Sequence, residues 1–485
     1  MTSARRISAA ALLSALLLSA CGGSGGQEAP VQQTSAGGAG TQEQTGTAAE
    51  TETDYYGGIR EAADKVDFGG GEFRFISYDD DGYWQIYLYV GEENGDVLND
   101  AAYRRNLEVE EMLNVKISQL RDADSEGKFK KSVQSGSDDY DMLCFWAVGN
   151  FSGFISNNLV LDWKTLPHVD LSAPWYNQTA NDAYTIGGRQ YFGVGDITFP
   201  VHQHFRLLMN KSLVTDLGLE LPYQAVRDGK WTFDMMLDYI SAAYGDLNGD
   251  GAADAGDRYG LATNHAYSAA FVWNAGELQV YPEENGFRFN LNSDRIQRIV
   301  DSIVSLRDNP NVYYTNDNTH YDPFWAGNVM FLGYGSDPLL LRDKEVDIGY
   351  LAYPKYDEAQ DDYYVWSDGG MMTLPKTCSD AARTGLIIEA MSAASNKYVK
   401  EAFISKYIEN KILRDEDSVA IYRMMRDRAT YDLSFNIDPS NKLTNYGYYG
   451  YFMQKKTTDL ASYYAKNESK IVSKYQELFD AAVNG

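Results

Sequence analysis

Tyr140-Asp141-Met142-Leu143-Cys144-Phe145-Trp146 is the stretch on which the fold turns. Its last five residues are all apolar. A strand with one wet face alternates; an unbroken short run belongs to a strand buried on both faces, as in parallel sheets covered by helices. Upstream, Phe73-Arg74-Phe75-Ile76-Ser77-Tyr78 reads as a strand ending in the turn Asp79-Asp80-Asp81-Gly82. Leu98, Ala101, Ala102, Val109, Met112 and Leu113 then form a helical stripe, and Val115-Lys116-Ile117 opens a second strand. Arg105 interrupts the stripe and is expected to snorkel to water. Strand–helix–strand alternation predicts an α/β architecture with a largely parallel sheet.

The pattern continues downstream. Phe205–Met209, Val329–Leu332 and Val346–Leu351 read as strands. Trp231–Ala243, with Thr232 as N-cap, reads as a helix, as do Leu386–Ala394 and Tyr398–Ile408. Leu460, Tyr464, Ile471, Tyr475, Leu478, Phe479 and Ala482 share one face of a C-terminal helix. At 485 residues the chain exceeds one ordinary core, so two lobes are expected. The net charge of −27 excludes nucleic acid as a partner, since phosphate binding needs clustered cations. Three cysteines with no C-x-x-C spacing give no zinc or redox motif; an oxidising exterior permits one Cys144–Cys378 bridge.

Residues 5–21 place Arg5 and Arg6 before a short apolar run, the pattern of a secretory signal too short to span a bilayer permanently. Leu18-Ser19-Ala20-Cys21 resembles a bacterial lipobox, which implies cleavage before Cys21 and lipid attachment to it. The expectation is a signal peptide over 1–20 and a flexible, lipidated tether over 21–55, rich in Gly, Ser, Thr and Gln and lacking an apolar face. Gly22-Gly23-Ser24-Gly25-Gly26 matches G-x-S-x-G, but a tether cannot supply the strand-to-helix elbow that a serine hydrolase needs.

Four stretches carry a resemblance. Gly229-Lys230-Trp231-Thr232-Phe233-Asp234 opens a helix; Phe324-Trp325-Ala326-Gly327-Asn328-Val329-Met330-Phe331 follows a Phe-x-x-Gly-x-x-Met pattern. Val346–Asp357 is a strand and turn in which Ala352 and Tyr353 replace smaller residues, and Glu389–Ser395 ends a helix. In order and spacing they resemble the family 1 extracellular solute-binding proteins. The resemblance implies the two-lobed periplasmic-binding-protein type II fold with an interlobe ligand cleft. It implies a non-enzymatic lipoprotein, anchored outside the cytoplasm to the cell membrane by lipid alone. Such a protein, expected to be monomeric, captures a solute, foremost a carbohydrate, for an ABC transporter permease. Chain crossings near 195–205, 365–372 and 425–432 would assign 56–200 plus 370–428 to lobe 1 and 201–369 plus 429–485 to lobe 2.

Asp246-Leu247-Asn248-Gly249-Asp250-Gly251-Ala252-Ala253-Asp254-Ala255-Gly256-Asp257 fits an EF-hand-type loop. Asp246, Asn248, Asp250, Asp254 and Asp257 supply side-chain oxygens, Ala252 a carbonyl, and Gly251 the sharp turn. Structural Ca2+ is the expected cofactor. Asp257 stands where a bidentate Glu is usual, and a solvated acidic turn is the alternative. Arg258-Tyr259-Gly260-Leu261 should return to a strand, which makes the site structural.

Ligands of open α/β sheets gather beyond the carboxyl ends of strands. Candidate ligand-binding residues are Tyr78, Asp79 and Trp84 after the first strand, Trp146 and Asn150 after the Tyr140 strand, Trp273, Asn274 and Tyr334 in the second lobe, and Trp366 and Asp368 beside a crossing. Rings would stack on the C–H faces of a sugar while Asp and Asn bond its hydroxyls. Core packing accounts for each ring equally well when taken alone. Two other readings stay open: a secreted glycoside-active enzyme using paired carboxylates, and a receptor of the same fold for peptides or another small molecule. His202-Gln203-His204 suits a structural pair better than a metal site.

Overall fold

A computed structural model describes residues 56–81, 84–146, 151–199, 203–336, 338–440 and 443–485. In chain order its strands are β1 (Gly71–Ser77), β2 (Val115–Arg121), β3 (Met142–Trp146), β4 (Gln203–His204), β5 (Arg206–Asn210), β6 (Tyr259–Asn264), β7 (Val280–Glu283), β8 (Gly286–Phe289), β9 (Val312–Thr315), β10 (Val329–Tyr334), β11 (Ile348–Ala352), β12 (Val365–Asp368), β13 (Gly370–Thr373) and β14 (Ala429–Thr430).

Two sheets define two lobes. The first has the order β13-β3-β1-β2, the second β11-β5-β10-β6-β9. The unbroken apolar run forms β3, with Met142, Leu143, Cys144 and Phe145 all buried. It lies parallel to β1, as expected of a strand covered on both faces. Neither sheet is purely parallel: β13 runs against β3, and β5 runs against both β10 and β11. Each antiparallel strand is one that follows directly from a crossing, so its direction is fixed by where the chain enters the sheet.

A third, small sheet joins the lobes. Its order is β14-β12-β4. β4 leads through Phe205 into β5, and β12 leads through Gly369 into β13. Gly370 pairs with Trp146 at the carboxyl end of β3, while Arg206 pairs with Tyr334 at the carboxyl end of β10. The carboxyl ends of the parallel strands in both lobes therefore meet the crossing strands. The helix Glu416–Asp427 packs on β11 of the second sheet, so the chain has already passed into that lobe before residue 416.

Local sequence explains the elements. Thr232 caps the helix Phe233–Ala243 by accepting from the Met235 amide at 3.3 Å. Gly260, in β6, lets that helix lie against the sheet, for a Cβ there would overlap the Ile240 backbone. Arg105 departs from expectation. It is fully buried in the helix Val97–Leu113, and its Nη2 donates to the carbonyls of Tyr87 and Leu88 at 2.6 and 2.7 Å. Its Nε donates to Asn106 Oδ1 at 2.8 Å. Burial pushes the guanidinium down to about 9. The segment Trp84–Leu88 folds over the stripe, and its carbonyls accept the hydrogen bonds that water would otherwise accept. Cys144 and Cys378 are free thiols, so the permitted bridge does not form. Residues 1–55, with the expected signal peptide, tether and Cys21, lie outside the described residues.

Candidate functional site

The strand ends brought to the crossing sheet carry the candidate site. On the first lobe β1 ends at buried Ser77, followed by Tyr78, which is 46% exposed. Asp79 pairs with Arg121, at the end of β2, at 2.8 Å, and Asp81 joins the same guanidinium at 2.6 Å. Gln119 Nε2 donates to Ser77 Oγ at 2.7 Å, bracing this edge. Asn150 and the Trp146 side chain lie outside the described residues.

On the second lobe three neighbouring parallel strands, β10, β6 and β9, each hand over a polar group. β6 leads into the helix His265–Asn274, whose first turn holds His265 and Tyr267 and is capped by Asn264 Oδ1. β9 leads to Tyr321, and β10 to Ser336. Tyr267 and Tyr321 share a hydroxyl–hydroxyl bond of 2.5 Å, and Tyr321 Oη lies 3.5 Å from Ser336 Oγ. Tyr321, Ser336, His265 and Tyr446 are half-buried, so this edge is neither core nor open surface. Arg206 is buried here between the rings of Tyr334 and Tyr350. It donates to the carbonyls of His204 at 2.7 Å and Ser336 at 3.1 Å. Burial pushes the His320 imidazole, which touches the Tyr321 ring at 4.2 Å, down to about 4, so it is neutral at pH 7.

The described tryptophans expected to be sugar platforms, Trp84, Trp273 and Trp366, are packed instead. Trp366 is fully buried between Phe205, stacked at 3.8 Å and 17°, and Trp273, stacked at 4.0 Å and 16°. Neither face is open to a ligand in this structure. Trp273 sits on a helix rather than at a strand end, and its Nε1 donates to Asp432 at 2.7 Å. Burial pushes that carboxyl up. Asn274 Oδ1 accepts from the Trp366 amide at 3.0 Å. Trp84 is buried against Gly370, and Tyr334 lies under Arg206. Asp368 is buried and accepts from Asn436 Nδ2 at 3.0 Å and the Gly369 amide at 2.7 Å. The physical reason is common to Trp84, Trp273 and Trp366. A flat ring at a lobe junction gains more from two apolar faces than from one face and water. Of the eight expected residues whose side chains are described, the structure leaves Tyr78 and Asp79 accessible at a strand end. It adds Tyr267, Tyr321 and Ser336, none of which was among the expected residues.

The acidic loop 246–257 is described in full, and β6 does follow it. Asp246 accepts from the amides of Gly249 at 2.6 Å and Gly251 at 3.0 Å; Asp257, buried, accepts from those of Leu247 at 3.2 Å and Asp254 at 3.3 Å. Asn248, Asp250 and Asp254 each accept from an amide two residues on. The oxygens are thus turned onto the loop's own backbone, and no group of three or more His, Cys, Asp or Glu among the described residues is gathered as a metal cage. No described helix is long and apolar enough to cross a membrane.

With this geometry in view, the fold is that of solved sugar-binding proteins. A cyclo/maltodextrin-binding protein complexed with maltotetraose superposes with a TM-score of 0.56 at 14% identity, over 85% of this chain and 95% of its own. The GacH receptor of Streptomyces glaucescens, solved unliganded and with acarbose, gives 0.56 at 14%, over 84% and 99%. The ABC substrate-binding protein Lmo0181 from Listeria monocytogenes, in complex with cycloalternan, gives 0.52 at 12%, over 82% and 98%. The chain thus has the two-lobed periplasmic-binding-protein fold. No protein-family model and no curated protein matches the sequence.

Proposed function

We propose that this protein is an extracytoplasmic solute-binding protein that captures an oligosaccharide or other sugar between its lobes and passes it to an ABC importer, without chemical turnover. One observation carries the reading: the two-lobed fold spans nearly the whole length of structures solved with maltotetraose, acarbose and cycloalternan. Support comes from the half-buried hydroxyls and neutral imidazoles where the strand ends meet the crossing sheet. A hydroxyl-bearing edge of this kind suits a ligand rich in hydroxyls. Tyr78 and Asp79 are the residues of the first lobe that would meet it.

The test is a thermal-shift screen of the purified protein against neutral oligosaccharides and peptides, each mixture then checked by chromatography for cleavage. Stabilisation by a saccharide that is recovered intact is expected. Cleavage products would instead favour a glycoside-active enzyme, and stabilisation by peptides alone a peptide receptor.

Two further features complete the reading. The Leu18–Cys21 motif supports lipid attachment at Cys21 and hence tethering at the cell membrane. The spacing of Asp246, Asn248, Asp250, Asp254 and Asp257 supports a structural Ca2+ site, which would require those side chains to exchange backbone amides for the ion. Millimolar calcium added to metal-stripped protein should then raise Tm by several degrees; an unchanged Tm removes calcium from the account.

A further inference from the structure

Resting on that reading, we infer that Arg121 is a positioning residue that sets the Asp79 carboxylate toward the ligand, and that Asp79 selects a sugar with neighbouring free hydroxyls over one bearing a carboxylate. Two parallel strand ends place these groups. Ser77, the last residue of β1, is in register with Arg121, the last of β2, and with Cys144 of β3. Beyond Ser77 the chain passes through Tyr78 and Asp79 and then packs back on the crossing segments. Trp84 lies against Gly370 of β13, and the Tyr87 ring meets Phe199 at 5.9 Å. The turn that carries Asp79 is therefore held beside the junction of the lobes. It is open to an arriving molecule: Tyr78 is 46% exposed, and the side chains of Asp79 and Asp81 are 56% and 92% exposed.

A single nitrogen holds the turn. Arg121 Nη2 lies 2.8 Å from Asp79 Oδ1 and 2.6 Å from Asp81 Oδ1, so two carboxylates are drawn to one guanidinium. The strand end beneath is fixed. The Asp122 amide donates to the Ser77 carbonyl at 2.9 Å, and Gln119 Nε2 donates to Ser77 Oγ at 2.7 Å and to the Gln85 carbonyl at 2.9 Å. Without the cation the carboxylates repel one another and the turn spreads. With it, one oxygen of Asp79 is committed to Arg121 and the carboxylate keeps one orientation. Its second oxygen can only accept hydrogen bonds. Neighbouring ring hydroxyls can both donate to it in charge-assisted bonds. A ligand carboxylate has no proton to give at pH 7, and it meets a turn in which Asp79, Asp80 and Asp81 outnumber Arg121.

The experiment uses the full chain with Asp79→Asn, Arg121→Met, Arg121→Lys and the double variant Asp79→Asn/Arg121→Met. Affinities for maltotetraose, cellotetraose, xylotetraose, mannotetraose and tetragalacturonate are measured by calorimetric titration, and the Tm of each ligand-free protein by calorimetric scan. Asp79→Asn should weaken binding of the tightest neutral tetrasaccharide about tenfold or more, as expected of a lost bond to a charged acceptor. Arg121→Met should weaken it about three- to tenfold while Tm stays within about 2 °C, since exposed ion pairs add little stability. Arg121→Lys should recover most of that loss, because one nitrogen serves both carboxylates and an ammonium can stand in for it. The double variant should bind about as Asp79→Asn does alone, the non-additivity expected if Arg121 acts through Asp79. Additive losses, unaltered affinity in Asp79→Asn, a loss in Arg121→Met that comes with a lowered Tm, or tetragalacturonate held more tightly than every neutral sugar each overturn the inference and leave sugar capture in place. No binding of any saccharide by the unaltered protein overturns both.

Discussion

Trp366 illustrates how a single side chain decides between packing and binding. Its two faces are covered by Phe205 and Trp273, and the edge of Phe435 meets it at 4.6 Å. Trp366→Ala would open a large cavity at the lobe junction and should cost about 3–5 kcal/mol, read as a lowered denaturation midpoint. A cost below about 1 kcal/mol would mean that the ring is not core. Glu389 makes a pH-dependent case. It is buried, accepts from Tyr176 Oη at 2.8 Å, and burial raises its carboxyl to about 7, with Asp170 and Trp175 also facing it. The folded state holds the proton more tightly than the unfolded chain. This contribution is therefore complete below the ordinary value of about 4.5 and is lost as pH rises through about 7. The loss is on the order of 3 kcal/mol across that window. Glu389→Gln should flatten that slope in denaturation curves recorded from pH 4 to 8, a range of about four units chosen to bracket the shift.

Among elements, those with a periodic apolar pattern or a cap were legible. β3 followed from five consecutive apolar residues, the helix Phe233–Ala243 from Thr232, and β6 from its place after the acidic loop. Trp273 and Asn274 fall on a helix where a strand end was expected, because the aromatic run Phe271–Trp273 is equally apolar in either conformation. Arg105 was misread for a related reason: a helix pattern shows where an arginine stands but not which carbonyls fold over it. The hydroxyl contacts of Tyr321 with Tyr267 and Ser336 were not legible either, since these residues come from three loops that only the strand order brings together. The close approach of helix Phe233–Ala243 to β6 gives a prediction at this scale. Gly260→Ala should destabilise by roughly 1–3 kcal/mol, because the new methyl group meets Ile240 backbone rather than a movable side chain. Unaltered urea unfolding would show that the helix can retreat without cost.

For the whole molecule, the crossing strands bind the lobes closely. Each of the two hydrophobic clusters draws residues from both sheets: Ile76 and Leu143 share one with Leu207 and Phe331, and Phe73 and Met142 share the other with Leu208 and Leu332. Polar contacts add to this. Asp96, which caps the helix Val97–Leu113 of the first lobe, pairs with Arg342, between β10 and β11 of the second, at 3.3 Å. Tyr407 Oη donates to the Leu339 carbonyl at 3.4 Å. The lobes are thus in contact with tryptophans at their junction, and hydroxyl groups line the half-open edge beside it. Calorimetric titration of neutral oligosaccharides into the full-length protein tests this picture most directly. One saturable site, with the sugar recovered uncleaved, is the predicted result; absence of heat across the whole series, or recovery of shortened sugars, would contradict it.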